Sequence, residues 1–142
     1  MNYYLNKAVN RYKTCQSNRF KVLTNFNLLK AIYCIELSHR NALWRSAEYI
    51  YWCVSPRKKS KMKILTIGRY QVKTKFLEGF SKIESIKLSN SIFFIDALFY
   101  NLFPAVNWDD LSEDDLSKIV GFYNGDKTGM YVNAIKYMME IK

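Results

Sequence analysis

Residues 64–73 read ILTIGRYQVK, and the rest of the chain is placed by what this stretch does. Ile64, Leu65, Thr66 and Ile67 have the β-branched and aliphatic content of a short strand, and Gly68 breaks it. The segment TKFLEGF that follows at 74–80 has the length of a short helix, so the passage is expected to run strand, turn, helix. Immediately upstream lies the densest run of positive charge in the chain, PRKKSKMK at 56–63, which is expected to be a solvated turn or hairpin.

Helical patterns occupy most of the remainder. A Tyr-rich basic segment covers 2–15. Next, Thr24 or Asn25 is placed to cap a helix whose stripe is Leu28, Leu29, Ile32 and Ile35, with Glu36 in its last turn. A further helix runs from about Asn41 through ALWRSAEYIYWCV and stops before Pro56, because the proline ring disfavours the helical conformation at Ser55. The stretch SIFFIDALFYNLF at 91–103 is apolar nearly all round, as a central buried helix would be, and Pro104 ends it. In LSEDDLSKIVGFYNG, Ser112 is a helix N-cap, Asp114 and Asp115 sit in the first turn with Asp115 at the capping-box position, and Gly125 closes the helix. The amphipathic GMYVNAIKYMMEI completes the chain. The expected fold is mainly α with a minor β part: six or seven helices around one small β-hairpin or short sheet, in a single domain over 1–142.

Composition narrows the partners. At 142 residues with 49% apolar and 16% aromatic residues, the chain has the make-up of one globular domain and not of a disordered segment. Lys and Arg number 22 against 12 acidic residues, a net charge of +10 that favours a polyanionic partner: nucleic acid, anionic lipid or bacterial wall polymer. The N-terminal NYYLNKAVNRYK lacks the pattern of a secretory signal, and SIFFIDALFYNLF is too short to span a bilayer and carries Asp96. Cys15, Cys34 and Cys53 fit neither a disulfide framework nor a metal site and are expected to be buried thiols, and no cofactor is implied.

Three pieces occur in a fixed order: Glu36 with Ser38 at a helix end, Gly68 with Gln71 in an x-I-G-x-x-Q turn, and Tyr123 with Asn124 in FYNG. In that order they resemble the lysozyme-like superfamily, and within it the lytic transglycosylases and the goose-type and phage lysozymes. The likeness covers about ninety residues, from the helix of Glu36 to Gly125. It implies a lysozyme-like fold and cleavage of peptidoglycan glycan strands. Glycosidic cleavage needs a proton on the leaving oxygen, hence one carboxylic acid held neutral in an apolar site. Glu36 suits that role, because a helix C-terminus and burial among aromatics both disfavour its charged form. A lysozyme is itself the usual example of such an acid, so the parallel is borrowed.

The same resemblance gives Gly68, Gln71 and Ser38 to the wall of a sugar groove, sets Tyr123 beside Glu36 or the substrate, and has Asn124 hold the loop. Where hen-type lysozymes have an Asp two residues before the glycine, this chain has Thr66. Two mechanisms then stay open: attack by the substrate's own N-acetyl or 6-hydroxyl group, or inverting hydrolysis by a water that Thr66 orients. The family's turn is more often Gly-Leu-Met-Gln, so Arg69 and Tyr70 are a departure: they either bind a peptide carboxylate, stack on a sugar face, or point to solvent. Glu48 is expected to be a buried structural partner of Arg40, Arg45 or a lysine, and His39 a surface or capping residue. Two other readings compete with the enzyme: a basic nucleic-acid-binding module that uses PRKKSKMK, and a lysozyme-like wall-binding protein without turnover. In the enzymatic case the expected setting is a phage lysin, an exported effector or a domain cut from a longer protein. The sequence leaves the oligomeric state open.

Overall fold

The computed structural model describes residues 3–14, 21–39, 42–54, 66–124 and 129–141. Seven α-helices and one two-stranded sheet lie within them: α1 Tyr3–Thr14, α2 Phe26–His39, α3 Ala42–Val54, β1 Thr66–Ile67, β2 Val72–Lys73, α4 Lys82–Ser89, α5 Ile92–Leu102, α6 Glu113–Asn124 and α7 Met130–Met139. The fold is mainly α with a small hairpin. The cationic run 56–63, Cys15, Arg40 and Gly125 lie outside the described residues.

The central helix is α2, which packs against α1, α5 and α7. Leu28, Leu29, Ala31, Ile32, Cys34 and Ile35 are all buried, so apolar side chains leave this helix in several directions and each finds a neighbour. Full burial of a leucine or isoleucine contributes about 2 kcal/mol, which makes α2 the main source of core stability. The expectation that SIFFIDALFYNLF would be the buried centre is corrected. Only Ile95, Asp96 and Phe99 of α5 are buried, whereas Phe93, Tyr100 and Leu102 are exposed. Apolarity on every side of a short helix shows that it can be buried; which helix is enclosed depends on how many neighbours cover it.

Asp96 explains how the entry of α2 is fixed. Its carboxylate accepts hydrogen bonds from Leu23 N at 2.8 Å, Thr24 N at 2.9 Å and Thr24 Oγ1 at 2.5 Å. A buried acid thus ties the chain before α2 to α5, with three donors offsetting its desolvation. Of the two cap candidates it is Asn25 whose Oδ1 accepts from Leu28 N, at 3.1 Å. Ser112 Oγ likewise accepts from Asp115 N at 3.1 Å at the start of α6.

The chain between 64 and 80 differs from the expected strand, turn and helix. Thr66 pairs with Lys73 and Ile67 with Val72 in an antiparallel hairpin, and a single 3-10 turn, Thr74–Leu77, follows it. Val72 is fully buried and Ile67 nearly so, hence the return strand is held by the core. The helix α4 was not foreseen. It begins with a capping box in which Ser81 and Glu84 satisfy each other's backbone N–H groups. The cysteines divide: Cys34 is buried and Cys53 exposed, which corrects the expectation of buried thiols for Cys53.

Candidate functional site

Glu36 occupies the last turn of α2 and is only 7% exposed. Its Oε1 accepts a 2.8 Å hydrogen bond from the hydroxyl of Tyr131, which lies in the first turn of α7. Tyr123, near the end of α6, stands close enough for the Glu36 charge to act on its phenol. Burial first, then Glu36 and then Tyr70 hold the Tyr123 hydroxyl well above the usual tyrosine range. Tyr131 is raised in the same way by burial, by Glu36, by Tyr123 and by the hydrogen bond it donates. Both phenols therefore stay protonated and act as donors at neutral pH.

The hairpin joins this cluster through the backbone. Tyr123 donates its hydroxyl proton to the carbonyl oxygen of Tyr70, and its ring meets Phe99 edge-on with centroids 5.4 Å apart. Tyr70 is buried, with its ring tilted against Tyr33 at 5.5 Å, so it is packed in the core and offers no stacking face to solvent. Arg69, beside it, is exposed.

Gly68 and Gln71 shape the turn itself. Gly68 has φ of 81°, and a Cβ at this position would sit 2.4 Å from Ser89 O, so only glycine permits the turn to dock on the end of α4. Tyr70 N donates to that same Ser89 O, and Arg69 N donates to Asn90 Oδ1 at 2.8 Å. Gln71 has φ of 51°. Its side chain repays that strain by bridging the turn: Nε2 donates to Gly68 O at 2.9 Å, and Oε1 accepts from Thr66 Oγ1 at 2.6 Å. The proton of Thr66 is thereby committed to Gln71, and Thr66 is left with lone pairs to offer.

The structure thus brings Glu36, Tyr123 and the Gly68 to Gln71 turn into one connected cluster. Ser38 does not join it. Residues two apart on an α-helix point about 160° away from each other, so Ser38 leaves α2 on the side opposite Glu36. Its buried hydroxyl has no hydrogen-bond partner among the described residues. Asn124 closes α6, but its side chain lies outside what is described. Glu48 is buried on α3, and Arg45, one turn before it, forms no ion pair among the described residues. His39 is exposed at the end of α2.

Sequence reasoning missed Tyr131. Its sign was present: Tyr131 precedes Val132, Ile135 and Met138, the buried residues of α7, so its ring begins the inward stripe of that helix.

A concavity lies beside the cluster, with Gly68 shared between them. A groove of about 790 Å³ runs between α2, α3 and the hairpin turn, and its walls include Tyr33, Arg45, Tyr49, Gly68, Arg69 and Asn90. Glu36 does not line it. Among the described residues no group of three His, Cys, Asp or Glu side chains could hold a metal ion, and no helix is long and apolar enough to cross a membrane. Compared with protein-family models, curated proteins and solved structures, the chain matches none.

Proposed function

We propose that this chain is a peptidoglycan-cleaving glycosidase, a lytic transglycosylase or muramidase, with Glu36 as its general acid. The observation that carries this reading is a carboxyl group withdrawn from water at the end of α2, where burial disfavours its charged form, while the bond it accepts from Tyr131 fixes its orientation and pulls the other way on its acidity. That is the environment in which a carboxylic acid can donate a proton to a glycosidic oxygen near neutral pH.

Tyr131 gives its hydrogen to Oε1, which leaves Oε2 as the oxygen that carries the transferable proton when Glu36 is in its acid form. Proton delivery to the leaving oxygen breaks the glycosidic bond and leaves Glu36 as a carboxylate. In the intramolecular route that carboxylate then takes the proton of the attacking hydroxyl, which restores the acid; in the inverting water route the water's proton passes to solvent and Glu36 is reprotonated from solvent. If the nucleophile is the substrate's own 6-hydroxyl, the product ends in a 1,6-anhydro sugar. If it is water, a lone pair of Thr66 can accept one of its hydrogens, since the Thr66 proton is already given to Gln71.

Gln71 serves as a positioning residue, because both ends of its amide are used to hold the turn. Tyr123 acts through the Tyr70 carbonyl and fixes the hairpin relative to α6. Mass analysis of digested peptidoglycan tests the reading: anhydro ends indicate transglycosylation, reducing ends hydrolysis, and absence of soluble fragments contradicts both.

A further inference from the structure

We infer that the groove between α2, α3 and the hairpin turn is a binding site for carboxylate-bearing peptide, separate from Glu36, and that on the glycosidase reading its occupant is the acidic stem peptide of the wall polymer. Two arginines line the groove from different elements, Arg45 from α3 and Arg69 from the hairpin turn. Among the described residues no Asp or Glu lines it, and neither arginine has an acidic partner. Two positive residues on one concavity without an acid among the described lining residues favour an anionic occupant. Arginine's planar fork matches a carboxylate in a two-point contact.

The rest of the wall is built to receive such a ligand. Asn90 uses its whole amide: Oδ1 accepts from Arg69 N at 2.8 Å, while Nδ2 donates to Tyr49 OH and to Ile86 O, each at 2.8 Å. The backbone of Arg69 is fixed by this bond before any ligand binds, which lowers the ordering cost of binding. Tyr49 accepts the Asn90 hydrogen, so its own hydroxyl proton is left to donate elsewhere. Tyr33 supplies an apolar flank. A volume of about 790 Å³ suits a ligand of a few residues and is much larger than a single carboxylate needs.

The test is calorimetric titration of the whole protein with three probes: a soluble stem peptide freed of glycan, the same peptide with its carboxyls amidated, and inorganic phosphate. The free-acid peptide is expected to bind, and Arg45→Ala or Arg69→Ala to weaken it by about tenfold each, with circular dichroism unchanged. Amidation is expected to abolish binding, and Glu36→Gln to leave it intact because Glu36 does not line the groove. No binding by the wild-type protein, equal binding of the amidated peptide, unchanged affinity in the arginine variants, or binding of phosphate alone would each overturn the assignment. Peptide binding by a protein that cleaves no glycan would remove the glycosidase reading and leave the groove's chemistry standing.

Discussion

The hydroxyl of Tyr131 meets Oε1 of Glu36 at 2.8 Å across a separation of 95 residues in the chain. This contact joins α7 to the last turn of α2 and decides which oxygen of the acid is engaged. Tyr131→Phe keeps the ring and removes only the donor. Turnover of peptidoglycan is expected to fall by about tenfold, with a loss of about 1 kcal/mol in stability, measured by muropeptide release and by urea unfolding. Unaltered turnover would show that the bond has no part in proton delivery.

Alkaline pH tests the phenol cluster by another route. Tyr123 titrates well above 10.0 in the folded protein, so near that pH the unfolded chain loses a proton which the folded one keeps. The stability this provides is fully present below pH 10.0, the unfolded value, and is lost as pH rises toward the folded value. Unfolding free energy should therefore fall above that point by about 1.4 kcal/mol per pH unit for this group. Tyr123→Phe should flatten the slope, read by denaturant titrations at successive pH values.

Gly68→Ala tests the docking of the hairpin on α4. The added methyl would lie 2.4 Å from Ser89 O, in a left-handed backbone conformation, so neither side can yield cheaply. A loss of about 3 kcal/mol or more is expected in thermal or urea unfolding. By contrast Gly79→Ala has open space around its Cβ and meets only the strain of its φ of 91°, about 1 kcal/mol.

Asp96 is predicted to be structural. Asp96→Ala strands the N–H groups of Leu23 and Thr24 and the Thr24 hydroxyl, at a cost of about 3 kcal/mol. Asp96→Asn retains one acceptor oxygen and should lose about half as much. Urea denaturation of the two variants gives the ratio.

Much of this architecture could be read from local chemistry. The cap at Ser112 and the stop before Pro104 each depend on neighbours within a few residues, and those dependences survive in a bare sequence; Gly68 marks a break there, but its contact with Ser89 does not show. The capping box Ser81–Glu84 was equally legible and marks α4, which the sequence reading passed over. What could not be read was which long-range neighbour each side chain would meet. Tyr123 was expected to hydrogen-bond Glu36 or the substrate; it lies near Glu36, but its proton goes to the Tyr70 carbonyl and Tyr131 supplies the bond to the acid. Tyr70 offered a phenol to sugar on paper but is packed against Tyr33, because the return strand at Val72 draws the turn into the core. Asp96 counted in the sequence only against a membrane span, while its partners lie more than seventy residues away at Leu23 and Thr24.

The account stands most directly on Glu36→Gln, which keeps the volume and hydrogen-bonding reach of the side chain and removes its acidity. Wild-type protein incubated with purified peptidoglycan should release soluble muropeptides, and the variant should release at least about 100-fold less while unfolding at the same urea concentration. Equal release by both proteins, or no release by the wild type, would contradict the claim that Glu36 donates the proton.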